Sequence, residues 1–199
     1  MRVIRLLIAM LLLGPATLAQ ALELTQLTER LREPAVIRGA FIQEKHLRAL
    51  AKPLTSRGHY VLARDQGLLW ALESPLQQVY RITPDGIERR TDDSWQPTQP
   101  NGASGRQNQL SLALLSADHA RLSRDFELQL SGTDAEWQLV LTPKSTLLKQ
   151  IFRAITLHGS SRVERIELDE TQGDRTILRL IDGQPDSQLT AQERHDFER

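Results

Sequence analysis

Five histidines, His46, His59, His119, His158 and His195, are the first residues to weigh for chemistry, because imidazole serves both as metal ligand and as general base. They are scattered along the chain and lack metal-ligand spacing. The nearest approach to a nucleophile motif is Asn101-Gly102-Ala103-Ser104-Gly105-Arg106, which lacks the spacing of the strained hydrolase elbow and reads as loop chemistry. Thr142-Pro143-Lys144-Ser145-Thr146 resembles the end of a phosphate-binding loop, but no glycine-rich stretch precedes it. The acidic pairs Asp92-Asp93 and Asp169-Glu170 sit in polar contexts and read as solvated. There is no cysteine, which removes disulfides, thiol catalysis and zinc-thiolate sites. No catalytic residue, metal site or cofactor is expected, and the chain does not read as an enzyme.

Charge is equally uninformative about a polyanionic partner. Lys plus Arg number 25 and Asp plus Glu number 25, interspersed rather than blocked, so no nucleic-acid footprint is expected. The start of the chain says more. Arg2 and Arg5 precede the uncharged run Leu6 to Leu13, Gly14-Pro15 breaks it, and Ala19-Gln20-Ala21 offers a small-x-small cleavage site. That pattern predicts a secretory signal peptide over residues 1–21, since the apolar run is far shorter than the ~20 residues of a spanning helix. Residues 22–199 are then one domain with a short polar C-terminal tail, free in the periplasm and expected as a monomer.

The elements that must position any site are mostly strands. Leu24, Leu27 and Leu31 predict a short amphipathic helix that Pro34 closes. Phe126, Leu128 and Leu130 alternate with Glu127 and Gln129, and Trp137, Leu139 and Leu141 with Glu136 and Gln138. Ile166 and Leu168 do the same against Arg165 and Glu167, and residues 174–182 read as a further strand. Such alternation suits antiparallel strands with one apolar and one wet face. Thr83-Pro84-Asp85-Gly86, Ser131-Gly132-Thr133-Asp134, His158-Gly159-Ser160-Ser161 and Gln172-Gly173-Asp174 supply turns at near-regular spacing. The pattern predicts sheets closed or half-closed on themselves. Residues 96–107, rich in Pro, Gly and Gln, read as a mobile loop. They lead into a short helix around 109–117 whose Leu110, Leu112, Leu114 and Leu115 need apolar cover. The charged tail after Asp182 reads as loosely structured.

Apolar surface is therefore the lead. If the strands form one curved sheet, its concave face would display Phe41, Tyr60, Leu62, Leu68, Trp70, Leu128, Trp137 and Leu139. These could make an ordinary folded core. Three tryptophans are a modest supply for a two-sheet sandwich, whereas a half-barrel capped by short helices fits the inventory and encloses a cavity suited to apolar ligands. Arg64, at the end of one apolar run, reads on the residues alone as a solvated strand end.

An ordered set of motifs resembles the periplasmic lipoprotein carriers of the LolA kind. It comprises Phe41-Ile42-Gln43, Gly58, Arg64, Trp70, Pro75 and Asp85-Gly86, followed by Trp137 to Lys144 and Leu147 to Ile151, and spans roughly residues 24 to 182. The resemblance implies a mainly β (α+β) fold, an unclosed antiparallel β-barrel or half-barrel covered by short helices around an apolar cavity for acyl chains. It implies that Arg64 latches a helical lid, placed here at Leu110 to Leu115, by hydrogen bonding to lid carbonyls. A guanidinium suits that task, with five donors in a fixed fork and a permanent charge. The implied function is a soluble carrier moving acylated lipoproteins from an inner-membrane exporter to an outer-membrane acceptor. Alternatives are carriage of another amphiphilic lipid, such as a glycolipid or lipid-linked pigment, or a lipid-responsive sensor or scaffold. Asp65-Gln66-Gly67 follows Arg64 where the better-known carriers have a proline, Leu68 replaces an aromatic, and the C-terminus is short. These departures mark a divergent branch and leave the cargo open. The absence of cysteine argues against the lipid-tethered acceptor of the same fold.

Overall fold

The structure, a computed structural model, describes residues 23–92, 94–98, 113–115 and 119–198. The two-residue rhythm becomes one antiparallel sheet of eleven strands. They are β1 (Val36–His46), β2 (Leu54–Ala63), β3 (Gly67–Ser74), β4 (Gln78–Thr83), β5 (Gly86–Thr91) and β6 (Ser94–Pro97), then β7 (Phe126–Gly132), β8 (Trp137–Pro143), β9 (Phe152–Gly159), β10 (Val163–Glu170) and β11 (Arg175–Asp186). Their spatial order is β6-β5-β4-β3-β2-β1-β11-β10-β9-β8-β7. Two meanders thus join where β11 pairs with β1, and among the described residues β6 and β7 are the two edges of the sheet. The expected unclosed, mainly β architecture is the one observed.

Helices are short and few. Among the described residues they are α1 (Leu24–Arg32), α2 (His119–Asp125), α3 (Thr146–Ile151) and α4 (Ala191–Phe197), and residues 113–115 are helical. After Thr142-Pro143-Lys144 at the end of β8, α3 intervenes before β9. Ser145 caps it by accepting a hydrogen bond from the Leu148 N–H at 3.2 Å. Gln96 and Pro97, expected in a loop, belong to β6.

Within the sheet, close packing depends on a missing side chain at Gly58. Phe41 on β1 lies opposite Gly58 and stacks on Trp70 of β3 with ring centroids 3.7 Å apart. A Cβ at Gly58 would fall 1.9 Å from the Ala71 carbonyl oxygen and 3.0 Å from the Phe41 ring. Gly67, at φ +136°, opens β3 in a backbone region that favours glycine.

The chain's end differs from expectation. The tail after Asp182 is ordered: β11 runs to Asp186, and a reciprocal Thr190–Glu193 capping box starts α4. α4 buries no residue, so polar contacts rather than apolar burial hold it. Arg38 grips Glu193 through Nε and Nη2, both at 2.6 Å, and Asp186 through Nη1 at 2.9 Å. Arg81, almost fully buried, donates to the Asp196 and Glu198 carbonyls at 2.9 and 2.6 Å and to Glu88 at 2.8 Å. Arg90 pairs with Asp196, and the Arg81 and Arg90 guanidiniums each lie 4.6 Å from the Trp95 ring. The neighbours Ile37 and Ile82 belong to or pack on the core, so strand alternation puts Arg38 and Arg81 on the outer face. A charged sequence reads as loose when its partners lie more than a hundred residues away.

Two outcomes follow from this packing. Gly58→Ala should destabilise the protein by ~2 kcal/mol or more, because the Cβ meets backbone that cannot rotate aside; a melting curve measures it. The Arg38 hydrogen bonds lower the Glu193 pKa from 4.5 to about 2. A depressed carboxylate contributes stability that is present above pH 4.5 and lost as pH falls through about 2. Protection of the α4 amides, taken relative to their intrinsic exchange at each pH, should therefore fall across that window ahead of the sheet, and Arg38→Met should lower it already at neutral pH and flatten its further fall with acid.

Candidate functional site

The concave face is built by register. Tyr60 pairs across to Trp70, and Leu62 to Leu68, so every second residue of β2 and β3 points the same way. Phe41 from β1 and Trp137, Leu139 and Leu141 from β8 join them in one buried apolar cluster. Of the residues expected on this face, Phe41, Tyr60, Leu62, Leu68, Trp70, Trp137 and Leu139 are buried there, and Leu128 packs against the cluster partly buried. Leu114 and Leu115 of the expected lid are buried in the same cluster, together with Ala113. Leu110 and Leu112 lie outside the described residues.

The cover has a second component that the sequence reading did not place in the site. Leu27 and Leu31 of α1 are buried in the cluster, at 0% and 7% exposure, so α1 lies over the concave face. The signal was their spacing: residues four apart share one helix face. In this arrangement α1 and residues 113–115 occupy the hollow side of the sheet, and the apolar face is covered by protein.

Arg64 bears directly on that cover. It follows β2, and its Nε donates to the Pro34 carbonyl at 2.8 Å while its Nη2 donates to the Leu31 carbonyl. Its backbone N–H donates to the Ala35 carbonyl at 3.0 Å. The last carbonyls of a helix lack partners within it, and a cation complements the negative end of the helix dipole. Burial, and then the nearby Arg32 charge, push the Arg64 pKa below its ordinary value, although a guanidinium remains protonated. Arg64 is half-buried and bonded to the end of α1, so the solvated strand-end reading does not describe it.

The last turn of α1 is tied a second time, through Arg30. Arg30 pairs with Asp134 at 3.1 Å and reaches the Ser160 carbonyl at 3.5 Å, and the same carbonyl accepts from the Trp137 indole at 2.6 Å. Burial raises the pKa of Tyr60, against an opposing effect of Arg162, so its phenol stays neutral in the cluster. Among the described residues no His, Asp and Glu side chains gather as a metal site, and no helix is long and apolar enough to cross a membrane. The site's surface is apolar, with polar groups confined to the ties of its cover.

Comparison with known proteins agrees with this geometry. Residues 16–187 match the family described as outer membrane lipoprotein carrier protein LolA-like. No curated protein matches the sequence. Among solved structures, the fold is similar to a LolA superfamily protein from Nitrosomonas europaea, with a TM-score of 0.51, 12% identity, and coverage of 86% of this chain and 97% of that one. It is also similar to MucB, with a TM-score of 0.51, 13% identity, and coverage of 85% of this chain but 61% of MucB. The chain thus spans about three-fifths of MucB's length. At these identities the likeness is one of fold.

Replacing Arg64 should loosen the cover while sparing the sheet. Arg64→Leu removes the charge-assisted hydrogen bonds to the Leu31 and Pro34 carbonyls and should cost ~2 kcal/mol or more. Hydrogen exchange checks the location: protection should fall in Leu24–Arg32 and remain in β1, β10 and β11.

Proposed function

The chain belongs to the outer membrane lipoprotein carrier protein LolA-like family, and from that premise we propose that it is a periplasmic carrier sheltering the acyl chains of a lipoprotein. The concave face is the site. The single observation that carries the reading is an extensive apolar face covered by α1 and by residues 113–115, with an arginine bonded to the end of α1. Acyl chains would take the place now held by Leu27, Leu31, Leu114 and Leu115, and the sheet residues Phe41, Tyr60, Leu62, Leu68, Trp70, Leu128, Trp137 and Leu139 would line the cavity.

Magnitudes support a cover held this way. Burial of an acyl chain is worth ~0.8 kcal/mol per methylene, so a chain of ~16 carbons resists leaving a membrane by roughly 12 kcal/mol. The carrier must offer similar shelter and still release its load. A lid held by a few hydrogen bonds, each worth ~1–3 kcal/mol, can open on loading and favour release by re-forming. In this proposal Arg64 is the latch, cargo arrives from an inner-membrane exporter, and an outer-membrane acceptor receives it. Residues 1–21 direct the chain to the periplasm and are removed.

The experiment is mass spectrometry of organic extracts and co-purifying proteins from material isolated gently from periplasm. Acylated lipoproteins should be found, in larger amount on Arg64→Leu, which admits cargo but releases it slowly. A free glycolipid or other amphiphile would redirect the same cavity to a different load. Empty protein in both the wild type and Arg64→Leu would overturn carriage.

A further inference from the structure

The large apolar side chains left exposed among the described residues are not scattered. Leu50, Leu54, Leu76 and Leu147 are 48%, 53%, 75% and 66% exposed. Leu50 lies between β1 and β2, Leu54 opens β2, Leu76 lies between β3 and β4, and Leu147 sits in α3 between β8 and β9. β1, β3 and β8 all run toward the same end of the sheet, because the register sets His46 opposite Arg175, Glu170 opposite Phe152 and Phe126 opposite Pro143. All four leucines therefore stand on one rim.

That rim is continuous. The turn after β10 bridges its two halves: Asp174 accepts from the Arg48 N–H at 2.8 Å, and Thr171 donates to the Lys149 and Ile151 carbonyls at 2.7 and 2.9 Å. Two of the three leucine-bearing segments are also basic. Residues 47–54 contain Arg48 and Lys52, residues 143–149 contain Lys144 and Lys149, and neither segment contains an acid. All four cations are on exposed residues, although the Lys144 ammonium also donates to the Ser123 carbonyl at 2.7 Å. The rim's acids include Glu73, paired with His59, Glu170, 4.0 Å from Lys45, and Asp92 at the far β5–β6 turn.

We propose that this rim docks onto a membrane surface containing anionic phospholipid. The leucines enter the boundary between headgroups and acyl chains, while Arg48, Lys52 and Lys149 meet the phosphates. A membrane fits better than a protein partner because the leucines are separate projecting tips beside flexible cations. A protein interface concentrates its apolar surface in a packed central patch with few lysines. The inference goes beyond carriage, since docking requires no particular cargo.

The test is sedimentation of the purified protein with vesicles of phosphatidylethanolamine and phosphatidylglycerol, compared with vesicles of phosphatidylcholine. Binding should favour the anionic vesicles and weaken with salt. The combined variant Leu50→Ser, Leu76→Ser, Leu147→Ser should bind about tenfold more weakly or worse, with an unchanged melting temperature. Lys52→Glu with Lys149→Glu should abolish the preference for phosphatidylglycerol. Failure of the wild type to bind, or equal binding by the leucine variant, overturns the proposal. So does a wild-type dimer that the leucine variant converts to monomer, since the rim would then be covered by a second copy. Lipid extracted from the recovered protein is measured separately. Docking without lipid uptake would sustain this inference while counting against the carrier reading.

Discussion

A single curved sheet with an apolar hollow side cannot satisfy itself. In a sandwich the second sheet covers the first, and in a closed barrel opposite walls meet, but here β6 and β7 remain separate edges. Exposed apolar area costs ~25 cal/mol per Å2, so the hollow side must be filled by something outside the sheet. α1 and residues 113–115 fill it with Leu27, Leu31, Leu114 and Leu115. α1, at nine residues, is too short to be a stable helix alone, which means the sheet holds this cover and the cover completes the sheet. A filler of that kind can in principle be exchanged for another apolar group without dismantling a strand. The carrier reading rests on this property of the architecture more than on any individual side chain.

Period-two alternation does two jobs along the same strands. On β1, Ile37 packs on the core while Arg38 turns outward to Glu193 and Asp186. On β4, Ile82 is in the core while Arg81 turns outward to the end of α4. The inner face is covered through apolar contact, with polar ties at the last turn of α1. The outer face carries α4, which buries no residue and is held by ionic and hydrogen-bonded contacts. Acid or salt should therefore act first on the outer helix, and an apolar ligand on the inner cover. The two sides can respond to different chemistry although they share every strand.

How much of this could be read from the residues depended on the range of the interaction. Strands β7, β8, β10 and β11 were legible because alternation and turn residues are local signals. The concave face was legible for the same reason, and Phe41, Tyr60, Leu62, Leu68, Trp70, Trp137 and Leu139 do converge. α4 was not legible as docked structure, since its hold on Arg38 spans 155 positions and nothing beside Glu193 announces it. α3 was hidden because Thr146 to Ile151 is too short for a helical period to register. Arg64 illustrates the limit best: by itself it is a strand-end cation, and only the fold brings the Leu31 and Pro34 carbonyls to it. The Leu27–Leu31 stripe was visible as an amphipathic helix, but nothing in its spacing shows which surface it meets.

The polar ties of α1 and the exposed leucines lie at opposite ends of the sheet. Arg64 follows β2, while Asp134 and Ser160 sit in the β7–β8 and β9–β10 turns, all at the end remote from Leu50, Leu76 and Leu147. Such an arrangement separates two requirements that conflict at one location. Hydrogen bonds to a guanidinium are exchanged readily where water can replace each partner, and they become stubborn in a medium without water. If the leucine rim meets a bilayer, the ties of the cover stay at the end remote from it, where water can reach the half-buried Arg64 as its bonds open. The apolar face spans the distance between the two ends, so an acyl chain leaving the bilayer at the rim would press on the cover from the side opposite its ties. A cover hinged away from its entrance can yield progressively, each step replacing one leucine contact with one acyl contact, without the hollow side ever being exposed whole to water.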